Sequence, residues 1–411
     1  MHTKTISTMK RFRYFILSLI FLPATAFAEK PDTVNIENVN VASYLKSVVY
    51  TETKQKSTIN QYLDGINEKR LDHPNPVIIK LPHPANENGE FYFSTSPNFE
   101  DACVTEIKKG DEECIIKNPV PGTVVYSKAV IGGKTVVSKS TYIDGQVRMI
   151  CLPSVWNVRD MGGWKGISGK KIQYGLLYRG GEFDFQEEHN ITDEDVKEMK
   201  RIGISADVDL RGLGESHENA SALGNDVDYI FKNHNRYDQM ALKVDANKWK
   251  EEFEFIVKNL RQGKSVYIHC IMGADRTGLE CFLLGGLLGM DLDQLAKDYE
   301  LTSMAGKSYS RKISNLSSVF DAINQKQGKT FTDRFYNYYF IDLNVSNKDI
   351  RDFRKIMLEG YDAYVNATDI EDLYVEDNPD VDNNIYDLCG RIIDKPSKGI
   401  YIRNGRKYIA K

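Results

Sequence analysis

The sequence predicts an α/β protein, a central sheet flanked by helices, preceded by a β-sandwich. From Leu152 onward, short apolar strands alternate with longer amphipathic stretches, which is the pattern of an α/β domain. Between Pro76 and Cys151, short β-like runs are separated by turn signals, which is the pattern of a sandwich. A third observation locates function in the α/β part. The stretch HCIMGADRTG, His269 to Gly278, joins the β-branched run SVYIH to the apolar run LECFLLGGLLGM. A buried strand, a tight loop and a buried helix place free N–H groups at the loop, where an anion belongs.

Composition sets the outer limits. The chain has 411 residues, 41% apolar and 27% charged, so it is globular and long enough for two or three domains. A formal net charge of -4 with no basic stripe points away from nucleic acid. At the N-terminus Lys10, Arg11 and Arg13 precede the apolar run Tyr14 to Pro23, and Ala26-Phe27-Ala28 follows as a small-x-small site. This reads as a secretory signal peptide over residues 1–28, cleaved after Ala28. The apolar run is too short to span a bilayer, and no later segment is long and apolar enough. The expectation is an exported protein (periplasm, cell surface or secreted) with no membrane-spanning segment.

The elements follow in order. Residues 29–151 form an N-terminal region: a polar, irregular stretch to about Arg70, then PVIIKL, EFYFST, ECIIK, TVVYSKAVI, KTVVS, STYID and QVRMIC as strands. Cys103 and Cys114 flank VTEIKKGDEE, a hairpin-like turn across which they could pair in an oxidising compartment. Residues 152–366 form the α/β domain. In NITDEDVKEMKRIG, Thr192 is an N-cap with Glu194 close behind. ISADVDL is a strand, KWKEEFEFIVKNLRQG an amphipathic helix stopping at Gly263, and SVYIHC the next strand. MDLDQLAKDYELTS, SNLSSVFDAINQKQG and NKDIRDFRKIMLEG add helices. Residues 367–384 are an acidic linker, and residues 385–411 read as three short strands.

The loop has a definite chemical use. Cys270 and Arg276 enclose Ile271, Met272, Gly273, Ala274 and Asp275. The backbone N–H groups of such a loop wrap an anion as a nest, helped by the positive end of the next helix. The same field lowers a cysteine pKa, and a thiolate is the nucleophile. Arg276 supplies a planar fork for two phosphoryl oxygens. Gly273 permits close approach of the backbone, and Thr277 can hydrogen-bond the sulfur. Cys281, on the apolar helix, reads as packing.

HCIMGADRTG resembles the signature of the cysteine-dependent tyrosine phosphatases, in particular the bacterial tyrosine/serine protein phosphatases whose loop ends in Asp-Arg-Thr-Gly. WNVRDMGGW (156–164), GLLYRGGEF (175–183), VDLRGLGE (208–215) and DYELTS (298–303) resemble further segments of that family. The resemblance covers roughly Leu152 to Gly360. It implies the tyrosine-phosphatase fold and hydrolysis of phosphomonoesters through a phosphocysteine, with Cys270 as nucleophile and Arg276 as clamp. The loop residues 271 to 277 would bind phosphate. Asn157, Arg159, Asp160, Asp209 and Arg211 would be buried polar supports, and His269 would orient the loop and tune the thiolate. NPVPGTVVYSKAV resembles a corner of fibronectin type III and immunoglobulin-like domains, with one extra residue between Thr123 and Tyr126. The C-terminal strands resemble a small β module of exported Bacteroidetes proteins.

Breaking the ester needs a proton for the leaving oxygen. The usual Trp-Pro-Asp is absent, which leaves Asp275 within the loop, ahead of Asp238 in NRYDQMA. A helix N-cap role competes for Asp275. No cofactor and no metal is expected, because the seven histidines are scattered with no His-x-x-x-His pair. The expected partner is a phosphorylated protein or small phosphomonoester, phosphotyrosine first. Phosphoinositides or inositol phosphates are the alternative, and a rhodanese-type sulfurtransferase and a binding protein with an inactive domain are the other classes. Ala274 stands where relatives that take phosphoinositides often carry lysine, which favours singly phosphorylated substrates unless Lys307, Arg311 or Lys312 reaches the loop. Sequence leaves the oligomeric state open.

Overall fold

The computed structural model describes residues 30–51, 54–63, 70–184, 190–216, 219–361, 385–386, 393, 399–403 and 406–410. The expected signal peptide, its cleavage site and the acidic linker lie outside them. Two compact units are formed. The smaller takes residues 81–112 and 124–141, and the larger takes residues 33–80, 113–123 and the chain from 142 onward. The units therefore do not break where composition does.

The first half of the chain is strand-rich. Its elements are β1 (Asp32–Asn35), α1 (Val39–Lys46), β2 (Tyr50–Thr51), β3 (Lys54–Gln55), β4 (Val77–Lys80), β5 (Gly89–Ser94), β6 (Cys103–Ile107), β7 (Glu113–Ile116), β8 (Val124–Ile131) and β9 (Lys134–Asp144). Five of these strands form one sheet in the order β1-β9-β8-β5-β6, whereas β4 pairs with β7 alone. KTVVS and STYID, expected as two strands, are one continuous β9, because no Gly, Pro or Asn interrupts KTVVSKSTYID. QVRMIC contributes only an isolated bridge, Met149 to Arg159. The hairpin expected between Cys103 and Cys114 is not formed: Cys103 lies on β6, which pairs with β5, and Cys114 lies on β7, which pairs with β4.

The larger unit holds the expected helix-flanked sheet. Its elements are β10 (Arg159–Asp160), β11 (Leu177–Gly180), α2 (Asp193–Arg201), β12 (Ile204–Asp209), β13 (Asp228–Phe231), α3 (Ala241–Val244), α4 (Ala246–Arg261), β14 (Ser265–His269), α5 (Arg276–Leu287), α6 (Leu292–Glu300), α7 (Ser317–Asn324), α8 (Phe331–Asn337) and α9 (Asn347–Met357). The sheet order is β10-β11-β14-β12-β13. The last four strands run parallel, and β10 is antiparallel at the edge. Near the C-terminus β15 (Ile385–Tyr386), β16 (Gly399–Arg403) and β17 (Arg406–Ala410) form an antiparallel sheet.

Period-2 alternation along the parallel strands divides the interior. Leu177, Val208, Val266 and Ile268 join one core with Phe253, Phe282, Phe335 and Phe353 from the helices. Tyr178, Tyr267 and Ile204 join a second core with Met199 and Ile202 at the end of α2. Both faces are therefore covered, as a parallel sheet requires. Thr192 caps α2 as expected, but Asp195, not Glu194, closes the capping box. Glu194 lies one position too early and pairs with Lys117 instead.

The stretch that composition leaves irregular is packed into the larger unit. Glu300, buried at the end of α6, accepts from Tyr44 Oη (2.9 Å), Gln55 Nε2 (3.0 Å), Ile59 N (3.0 Å) and Ile313 N (2.9 Å). Asp293 Oδ1 accepts from the amides of Val49 and Tyr50. Val41, Tyr44, Val49 and Ile59 are buried in the larger core.

Candidate active site

The site forms where the parallel strands end. In register, Gly180 of β11 and Asp209 of β12 both stand beside His269 of β14. Three loops leave from that line, and ligands in such sheets bind beyond the carboxyl ends of the strands. The loop after β14 carries Cys270, which is 3% exposed, and leads straight into α5, whose residues 277 to 287 are all buried.

The loop's carbonyls are held on its outer side. Ile271 O accepts from Glu182 N at 3.0 Å. Asn157 Nδ2 donates to Met272 O (3.0 Å) and Gly273 O (3.1 Å), and Arg179 Nη2 donates to Gly273 O (2.9 Å). In a trans peptide the C=O and the following N–H point opposite ways. The amides of Met272, Gly273 and Ala274 therefore point away from those partners, which makes them a candidate anion nest. Gly273 is required twice. Its φ is +64°, and a Cβ there would overlap the Gly180 carbonyl.

A buried ionic cluster supports this wall. Asp298 at the end of α6 binds Arg159 Nε (3.0 Å) and Arg179 Nη1 (2.6 Å), and Arg159 Nη1 donates to Asn157 Oδ1 (2.6 Å). Asn157 N in turn donates to Asp72 Oδ2 at 2.7 Å. Burial pushes the Asp298 pKa up, but Arg159 and Arg179 together bring it below the usual carboxylate value. Burial and the neighbouring Arg179 pull Arg159 down to about 10, so it still carries its charge at neutral pH. Asp160 lies in a different network, with Arg148 and the amides of Gly162 and Gly175.

Under the floor, His269 Nε2 lies 3.1 Å from Asp207 Oδ1, an approach not aligned for a hydrogen bond. Burial lowers the His269 pKa, but Asp207 and Asp209 raise it further, so the net shift is upward. Asp209 accepts from Arg211, Ser216 and Tyr229. Arg211 reaches across to Asp184 at 2.5 Å. Asp209 and Arg211 thus brace the strand end.

Arg276 opens α5 with its side chain half-buried. Its Nη1 donates to Glu215 Oε2 (2.7 Å) and reaches the carbonyls of Leu210 (3.4 Å) and His234 (3.3 Å). Glu215, seen in the sequence only as part of VDLRGLGE, is thus the residue that aims the guanidinium. Thr277 Oγ1 is buried with no hydrogen-bond partner among the described residues, so the expected contact with the sulfur is not formed. Burial pushes the Cys281 thiol up to about 12, which fits packing.

The two candidate acids are placed differently. Asp275 occupies the N-cap position of α5, yet its side chain makes no capping bond. Instead Arg311 Nε and Nη2 donate to its two oxygens, each at 2.7 Å. Asp238 is partly exposed, pairs with Arg236 and accepts from Met240 N at the start of α3. Among the described residues no hydrogen bond or ion pair joins Asp238 to the loop 270–276. Beside the loop, Trp156 stacks on Tyr309, with centroids 5.7 Å apart, and Arg70 lies over Trp156 at 4.5 Å. Sequence reasoning assigned no role to Arg179, Glu182 or Tyr309. GLLYRGGEF was legible as a strand, but which of its side chains turns toward the loop was not.

Cys270 follows directly on β14 and Arg276 opens α5, so the two bracket a loop at the strand ends. A family model described as "Tyrosine phosphatase family" matches residues 150–359, half of the chain, and the chain belongs to that family. A Cupriavidus necator protein, provisionally named a tyrosine-protein phosphatase, is 24% identical over 172 residues. The match covers 36% of this chain and 61% of that relative's length. Among solved structures, Pseudomonas aeruginosa TpbA is 14% identical with a TM-score of 0.28, covering 40% of this chain and 90% of that one. The human tyrosine phosphatase-like serine/threonine/tyrosine-interacting protein is 14% identical with a TM-score of 0.24, covering 42% and 97%. Scores this low add nothing about this chain.

Proposed function

We propose that this chain hydrolyses phosphomonoesters, phosphotyrosine first, through a phosphocysteine. The observation that carries the reading is the loop after β14: the carbonyls of 271 to 273 are tied to Glu182 N, Asn157 and Arg179, which leaves the amides that follow them for an anion, and Arg276 is held by Glu215. Cys270 Sγ attacks phosphorus, the S–P bond forms and the P–O bond to the leaving group breaks. The developing charge on the equatorial oxygens is met by the amides and by Arg276. The leaving oxygen takes a proton from Asp275, ahead of Asp238. Water then gives a proton to the Asp275 carboxylate and attacks the phosphocysteine, and the S–P bond breaks, which restores the acid, returns the thiolate and releases phosphate.

Cys270→Ser should abolish aryl-phosphate hydrolysis with the fold intact, and vanadate should inhibit the parent without added metal. Full activity in Cys270→Ser, or activity lost to EDTA, contradicts the reading. We further place the protein outside the cytoplasm, on the basic–apolar–AFA start, and N-terminal sequencing of the natural product tests this. The immunoglobulin-like reading of the strand-rich half rests on its turn-punctuated strands and is tested by an experimental structure of the smaller unit.

A further inference from the structure

We infer that Arg311 is a specificity residue that receives a second acidic group on the substrate, because its guanidinium is anchored on Asp275 and faces the loop residue Met272. The inference rests on the phosphatase reading above and names a property of the substrate that the reading leaves open.

The position of Arg311 is fixed from two sides. Its amide donates to Ser303 Oγ (2.9 Å), and that hydroxyl donates back to Arg311 O (3.1 Å). Its Nη1 donates to Ser310 O (3.0 Å) and Ser308 O (3.4 Å). Nε and Nη2 grip Asp275 at 2.7 Å each. Nη2 carries a further hydrogen, and its other contact is Met272 Sδ at 3.9 Å. A thioether is a weak acceptor. An anionic oxygen arriving at the loop offers that N–H a charge-assisted bond instead. The two side chains stay partly open to solvent, 16% for Arg311 and 23% for Asp275.

Two consequences follow. Arg311 beside Asp275 offsets the repulsion that an ionised Asp275 would exert on a second anion. Position 274 of the loop is alanine, and a second cation reaches the loop from Arg311, 35 positions beyond Arg276 in the chain (311 − 276). A substrate whose phosphate fills the nest and whose leaving group carries a carboxylate or a second phosphate near the ester meets both cations.

Three aryl phosphates test this: 3-carboxyphenyl phosphate, its methyl ester, and 1,3-phenylene bisphosphate. The parent should show a higher kcat/KM on one or both acidic probes than on the ester, and which of the two is favoured tells carboxylate from phosphate. In Arg311→Gln the acidic-to-neutral ratio should fall roughly tenfold, the worth of one hydrogen bond to a charged group, mostly through KM. Arg311→Lys should recover part of it. Recovery by lysine separates recognition from mere structural damage. A parent with no preference, or a ratio unchanged in Arg311→Gln, overturns the inference. Ester hydrolysis that survives in Cys270→Ser, or a parent inactive on all three probes, overturns the underlying reading and this inference with it.

Discussion

Gly273 shows how much a single position can decide. A side chain there meets a left-handed backbone and the Gly180 carbonyl together. Gly273→Ala should displace the loop and lower kcat on an aryl phosphate by roughly 10²-fold, since small misplacements cost that much. The melting temperature should change far less, because the helix and strand on either side are buried independently of the loop. Unchanged kcat in Gly273→Ala would show that the loop's curvature is not needed. Asp275→Asn should slow substrates with poor leaving groups by about 10²-fold or more while sparing those with good ones, the mark of a lost general acid. If Asp238→Asn shows that pattern instead, the proton comes from the start of α3. Cys270, Gly273 and Arg276 were legible in the sequence because covalent neighbours fix the loop. Arg311 was named only among residues that could reach the mouth, since nothing local says which of three cations arrives. Its contact with Asp275 exists only after α6 and the short turns behind it have folded.

The element that most constrains the loop is α6 with the two arginines it holds. Asp298→Asn leaves Arg159 and Arg179 buried without a full counter-charge, which should cost about 3–5 kcal/mol, read by denaturant unfolding. Linkage gives a pH signature. The folded-state pKa of Asp298 is lowered, so its contribution is present above the unfolded value of about 4 and is lost as pH falls through the folded value. Parent stability should therefore drop in the acid range below about pH 4, and Asp298→Asn should remove part of that drop. An equally steep acid limb in the variant would show that other carboxylates dominate. At this scale the sequence spoke well where a period or a cap is local: Thr192 opening α2, the amphipathic run that became α4, and the apolar run that became α5. It spoke poorly where partners are distant. Arg159, Arg179 and Asp298 sit in three separate motifs, and only the folded sheet makes them one cluster.

Across the molecule, the polar stretch before β4 is part of the larger unit. Glu300 gathers donors from Tyr44, Gln55, Ile59 and Ile313, so it joins the early segment to the end of α6 and the turns after it. Glu300→Ala strands several buried donors and should cost roughly 3 kcal/mol or more, with early proteolytic cleavage in the 33–63 stretch. Stability and protease resistance equal to the parent would show that the segment is held by its apolar contacts alone. Composition gave no sign of this docking, because the residues that perform it are spread thinly through a polar stretch. The central claim, that phosphate is carried on Cys270, is tested most directly by acid-quenching the enzyme during turnover of an aryl phosphate and mapping its peptides by mass. One added phosphoryl group on the peptide containing Cys270, absent from Cys270→Ser, is the predicted result. An active enzyme with no phosphoryl adduct at Cys270 under conditions that preserve thiophosphates would contradict it.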